Sequence, residues 1–133
     1  MDTRDLPNTA IVISDDAQTV LQAVPSTLEK AGFVVLAAAG SEIALKRAKK
    51  QSVDLAIIDT TASGINAGEV VRQLHESSPH ARMLFLTGDA PASELHNTPS
   101  LGHVHRFLAK PFRRSQFLGN VLEIMDQDLV LSA

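Results

Sequence analysis

Short apolar runs alternate along this chain with longer stretches in which apolar residues recur every three or four positions. Ala10-Ile11-Val12-Ile13-Ser14, Phe33-Val34-Val35-Leu36-Ala37 and Leu55-Ala56-Ile57-Ile58 are of strand length, as are Ala81 to Leu86 and Val104 to Leu108. Continuous runs of this kind are the form taken by strands covered on both faces. The intervening stretches carry a helical stripe. One runs from about Ala17 to Lys30, with Val20, Leu21, Val24 and Leu28 on one side; a second opens at Gly40-Ser41 and carries Ile43, Ala44, Leu45 and Ala48. A third, after Asn66, carries Val70, Val71 and Leu74 and runs down by Ser77-Ser78-Pro79. The last, Arg113 to about Leu129, carries Phe117, Leu118, Val121, Leu122, Ile124 and Met125, and Phe117, Val121, Leu122 and Met125 are expected in the core. The connection after the fourth run is irregular: Pro91, Pro99 and Gly102 leave room for only a short helix between Ala92 and Asn97.

Local signals punctuate this pattern. Pro25 falls inside the first helical stretch, where a missing backbone N–H is expected to kink or shorten it. Gly32 closes that helix in the position glycine favours. Ser41 is a candidate N-cap, and Asn66-x-x-Glu69 resembles a capping box. Strands alternating with helices imply right-handed crossovers and a parallel sheet with helices on both faces. Five such units in this length fit a flavodoxin-like doubly wound five-stranded parallel sheet, whose strand order is 2-1-3-4-5.

Composition narrows the function classes. The 133 residues, 44% hydrophobic and 20% charged, suit one ordinary globular domain. We read residues 1–8 as an N-terminal arm, 9–129 as the folded domain and 130–133 as a tail or the start of a linker. No run approaches the roughly 18–20 apolar residues of a membrane span, and the N-terminus lacks an apolar signal region. A cytoplasmic location without membrane association is expected. The chain has no cysteine, so disulfides, thiolate nucleophiles and Cys-based zinc sites are excluded. A net charge of -3 provides no electrostatic footprint for nucleic acid. Lys46, Arg47, Lys49 and Lys50 cluster near a helix C-terminus, where the helix dipole favours cations, so a solvated face is expected. His75, His80, His96, His103 and His105 lack a third ligand at suitable spacing and are read as ordinary surface histidines.

The strand ends carry the chemistry. Asp15 and Asp16 follow the first run, Asp59 ends the third, Thr87 follows the fourth, and Lys110-Pro111 follows the fifth. In a parallel sheet these ends share one edge, and ligands of open α/β sheets bind outside the carboxyl ends of the strands. Burial is expected to stop at Asp59, leaving a rigidly held carboxylate at the mouth of the sheet. Each residue alone has an ordinary explanation: Asp15-Asp16 as a helix cap and first-turn acid, Lys110 as a surface lysine. The combination of acid pair, acid, hydroxyl and lysine is far more specific.

On these residues the chain, from about Ala10 to Asp128, resembles the receiver domains of two-component response regulators. The resemblance implies that Asp59 accepts a phosphoryl group from a histidine kinase or histidine phosphotransfer protein. It implies a divalent cation, Mg²⁺ or Mn²⁺, held by Asp15, Asp16 and Asp59 with the backbone carbonyl of Thr61, Asp16 more directly than Asp15. Thr87 and Lys110 would contact the phosphoryl oxygens. Phe107, three residues before the lysine, falls at the position of a rotameric switch, and Phe112 matches the aromatic after Lys-Pro. Thr61 and Asp89 fall where the family tunes phosphoryl lifetime. A homodimer through the face of the fourth helix, fifth strand and fifth helix is a further expectation.

Electrostatics explains the residue types. Carboxylates about 4 Å apart, at an effective dielectric of about 20, repel by on the order of 4 kcal/mol per pair. One lysine offsets part of that, and a hard dication with oxygen ligands suits the remainder. The pattern also departs from the family: Ser63, followed by Gly64, stands where a proline is common, Thr60 and Thr61 replace larger apolar residues, and Gly102-His103 differs from the usual spacing. Three alternatives compete. A pseudo-receiver would keep the fold as an interaction module without phosphorylation. A haloacid dehalogenase-type phosphohydrolase wants a second Asp where Thr61 stands. A flavodoxin-type FMN binder needs a phosphate loop where Asp15-Asp16 would repel one. The expected protein is a switch that catalyses only its own phosphotransfer and dephosphorylation, either stand-alone or cut from a longer regulator or hybrid kinase.

Overall fold

The computed structural model describes residues 8–14, 23–39, 41–60, 67–88 and 105–132. The strands are β1 (Thr9–Ser14), β2 (Val34–Ala39), β3 (Leu55–Asp59), β4 (Arg82–Thr87) and β5 (His105–Ala109). The described helices are α1 (Ala23–Lys30), α2 (Ser41–Lys50), α3 (Ala67–Ser77) and α4 (Arg114–Ser132). The short helix expected between Ala92 and Asn97 lies outside the described residues. All strand pairs are parallel, in the order β2-β1-β3-β4-β5. The expected topology is therefore observed.

Alternating side chains divide the sheet between two cores. Ile11, Ile13, Ala56, Ile58, Met83 and Phe85 face Ala48 of α2 and Val70, Val71 and Leu74 of α3. Ala10, Val12, Leu55, Ile57, Leu84 and Leu86 face Val24 and Leu28 of α1 and Phe117, Val121 and Ile124 of α4. Both faces of β3 and β4 are thus buried along their whole length. This double coverage explains why their sequences run apolar without alternation.

Helix ends follow local chemistry. Gly32 sits at φ +102° just past α1. There the Phe33 N–H donates to Leu28 O and the Gly32 N–H to Glu29 O, both at 3.0 Å. This is a Schellman ending, and the left-handed residue it requires is the reason for glycine. Phe33 and Leu28 then join the same core. Pro25 lies within α1, two residues from Ala23, where the description of the helix begins. The preceding stretch, where the expected kink or shortening falls, lies outside the described residues.

One expectation about α4 fails. Leu122 is 51% exposed, while Phe117, Val121 and Ile124 are buried and Met125 is partly buried. Spacings of four and three keep 117, 121 and 124 on one stripe, and residue 122 is rotated about 100° from 121. The helix also runs to Ser132, past the expected Leu129.

Polar groups close the edge of the sheet where the strands begin. Asp54 accepts the Thr9 N–H on Oδ2 at 2.8 Å, and its own N–H donates to Thr9 O at 2.8 Å. The Arg82 N–H donates to Asp54 O at 3.0 Å. Burial lowers the pKa of the Arg82 guanidinium, with the Asp54 charge acting in the opposite sense. Buried Ser78 accepts the Val53 N–H on Oγ at 2.9 Å. These contacts fix the start of β3, and hence the place where it ends.

Candidate functional site

The parallel sheet brings the carboxyl ends of its strands to one edge. Ser14 ends β1, Asp59 ends β3, Thr87 ends β4, and Lys110 follows the last residue of β5. Ile13 is in register with Ile58, so β1 ends level with Asp59. Asp15 and Asp16 come next in sequence and lie outside the described residues, as do Thr61 and Asp89.

Asp59 corrects one expectation. Burial does not stop at this residue: it is 0% exposed. It pairs with Leu86 of β4, and the chain just beyond continues the ladder through Thr60. The Thr60 N–H donates to Leu86 O at 2.9 Å, and the Thr60 hydroxyl donates to the same oxygen at 3.0 Å. That closure places the carboxylate beneath the rim, which an apolar-run argument misses because the run itself ends in a charge.

Lys110 accompanies the buried charge. Its Nζ lies 3.0 Å from Oδ1 and 3.1 Å from Oδ2 of Asp59, with the lysine side chain 14% exposed. An unpaired charge at such depth would cost several kcal/mol, and the lysine supplies a charge of opposite sign beside it. The Lys110 backbone is held too, because its N–H donates to Thr87 O at 2.7 Å. Thr87, itself buried, is in register with Ala109. The structure therefore brings Asp59 and Lys110 into direct contact and sets Thr87 on the adjoining strand end. The Lys110–Pro111 peptide is cis.

Two aromatic groups flank this edge. Phe107 of β5 stacks on Phe85 of β4, with ring centroids 5.1 Å apart and planes at 23°. Phe85 shares its sheet face with Thr87, two residues on. Across the sheet, Phe112 stacks on Phe117 at 5.8 Å and 24°. Such pairs contribute about 0.5–1.5 kcal/mol beyond area burial. The part of Phe85 was missed in the sequence, although the period of two from Thr87 would have pointed to it.

The described donors suit a hard cation in kind. Asp59 offers carboxylate oxygen, the ligand type that magnesium takes. Among the described residues no group of three or more His, Cys, Asp and Glu is placed to hold a metal. The remaining expected ligands are the residues outside the described set.

Comparison with known proteins decides the family. Residues 11–122 match the response regulator receiver domain. The chain belongs to that family. It is 30% identical over 80 residues to the alkaline phosphatase synthesis transcriptional regulatory protein PhoP of Bacillus subtilis, covering 60% of this chain and 33% of that protein. It is 29% identical over 108 residues to the transcriptional regulatory protein YvrH of the same organism, covering 80% of this chain and 45% of that one. The receiver thus spans from a third to under half the length of these relatives. A solved response regulator receiver protein from Sinorhizobium medicae superposes with a TM-score of 0.75, at 24% identity, over 90% of this chain and 95% of that one. The chain is a receiver domain of two-component signalling with the expected fold. Among the described residues no helix of this receiver is long and apolar enough to cross a membrane.

Proposed function

We propose that this receiver takes a phosphoryl group from a phosphohistidine of a histidine kinase or phosphotransfer protein onto Asp59. The observation that carries the reading is the fully buried Asp59 carboxylate, gripped on both oxygens by Lys110 at the carboxyl edge of the sheet. The Lys110 ammonium holds the Asp59 carboxylate in place for attack. One carboxylate oxygen bonds to phosphorus as the phosphorus–nitrogen bond of the donor breaks, and the imidazole departs with its electron pair. The product is a mixed anhydride on Asp59. The Lys110 ammonium remains beside the oxygens over which the new charge spreads, and the Thr87 hydroxyl supplies a neutral donor to them.

Magnesium, or manganese, would be held by Asp15, Asp16, Asp59 and the carbonyl of Thr61. When bound it supplies positive charge to the transferring phosphoryl group. Occupation of the site is read as drawing Thr87 toward it and turning Phe107, which alters the outer face of the sheet. Exposed Leu122 and the Arg106–Glu123 ion pair, at 2.6 Å, lie on β5 and α4 and support self-association there. The folded unit is taken as residues 9–129, acting in the cytoplasm.

The test is incubation with a small phosphodonor such as acetyl phosphate and magnesium. Intact mass is expected to rise by one phosphoryl group in the parent and to stay unchanged in Asp59→Asn. A parent that neither gains the group nor binds beryllofluoride would instead be an interaction module that works without phosphorylation.

A further inference from the structure

We propose that His105 is a positioning residue: it sets the resting place of Phe107 and thereby the threshold for switching. This rests on the reading of Phe107 as the switch. The β4–β5 register pairs Met83 with His105, Phe85 with Phe107 and Thr87 with Ala109. Alternation puts these six residues on one face of the sheet. Phe107 accordingly has ring neighbours on two sides. Phe85 lies flat against it at 5.1 Å and 23°, and the His105 ring stands perpendicular to it at 5.6 Å and 88°. His105 also meets Phe85 edge-on, at 6.5 Å and 69°.

The three rings form a corner. Phe85 is buried and fixed by the core, so it acts as the floor. Phe107 and His105 are half-buried on β5, an outer strand of the sheet. A Phe107 ring leaving its stack must break the perpendicular contact with His105 as well as the flat one with Phe85. Histidine suits this duty at a half-exposed strand position, because it offers a flat apolar ring to a neighbour and a polar rim to water. The geometry thus makes His105 a brake on Phe107, placed two residues further from Asp59 along the same strand face.

A brake on the resting state reduces the fraction of molecules competent to hold the phosphoryl group, and apparent affinity falls by that fraction. Removing the ring is expected to have the reverse effect. The experiment compares the parent, His105→Ala and His105→Phe, each checked by thermal unfolding. One measurement uses fluorine NMR of protein carrying fluorophenylalanine at its five phenylalanines, with the Phe107 line assigned by its loss in Phe107→Leu. The other is titration with beryllofluoride and magnesium. In His105→Ala the Phe107 line is expected to shift and broaden without any ligand, and beryllofluoride to bind about threefold to tenfold more tightly, as for a competent fraction raised by that factor. His105→Phe, which keeps a ring, is expected to stay within about twofold of the parent on the same relation. An unmoved Phe107 line in His105→Ala, or unchanged or weaker binding, overturns the proposal. If the parent itself binds no beryllofluoride, the phosphoacceptor reading fails, and the ligand-free NMR comparison still decides whether His105 holds Phe107.

Discussion

At the scale of single residues, two kinds of polar group matter in this receiver: those proposed to serve phosphoryl transfer at Asp59 and those that fix the strands. Ser78 is of the second kind. Its hydroxyl takes the buried Val53 N–H, so Ser78→Ala leaves that donor without its partner. The expected loss is about 1–3 kcal/mol, read as a shift in the denaturant midpoint with an unchanged slope. Thr61 and Asp89 are assigned to the first kind by resemblance. A Thr61→Ala, Asp89→Ala double variant is expected to change the decay rate of the phosphorylated protein, measured by loss of the phosphoryl mass with time. Unaltered decay would remove both from that role. The residues most legible in the sequence were those whose type is unusual for their place: an acid ending an apolar strand, and a lysine before proline after another. The depth of Asp59 was not legible. It depends on Thr60 capping Leu86, a contact between segments 26 residues apart.

At the scale of elements, α3 shows how a helix is supported from its outer side. Arg72 donates through Nε and Nη2 to Glu69 and through Nη1 to Glu76, while Gln73 donates to Glu69 at 2.6 Å. These bonds, led by that from Arg72, hold the Glu69 carboxyl down from its ordinary 4.5 to about 2. A carboxylate stabilised in the folded state contributes stability above its unfolded pKa and loses it as pH falls through the folded one. The Glu69 contribution is therefore complete above about pH 4.5 and lost toward pH 2. An NMR titration is expected to place the Glu69 midpoint near 2, rising toward the ordinary value in Arg72→Ala and partway in high salt. Element types and order were readable from periodicity because β3 and β4 are covered on both sides and α1 ends on a glycine. Boundaries were less so: β2 and β4 each reach one or two residues beyond their apolar runs, since ladder pairing continues through Ala38, Ala39 and Thr87. Leu122 was misplaced because an apolar residue beside a stripe reads like part of it, and only packing tells the two apart.

At the scale of the whole molecule, burial is uneven across the sheet. β3 and β4 are buried throughout, whereas β5 is half-buried and ends exposed. Local opening follows burial and contact density, so amides of β5 that bond to β4 are expected to exchange hydrogen sooner than those of β3. Native-state exchange followed residue by residue checks this; equal protection of both strands would contradict it. Asp59 thus stands on a strand buried throughout, and Phe107 and Lys110 on or beside one that is half-buried.

The bond from the Lys110 N–H to the Thr87 carbonyl has a further consequence. It splices the tips of the fourth and fifth strands through the main chain, so a tug on one tip travels to its neighbour whatever side chains lie between. Substitutions of the side chains nearby leave that mechanical link in place.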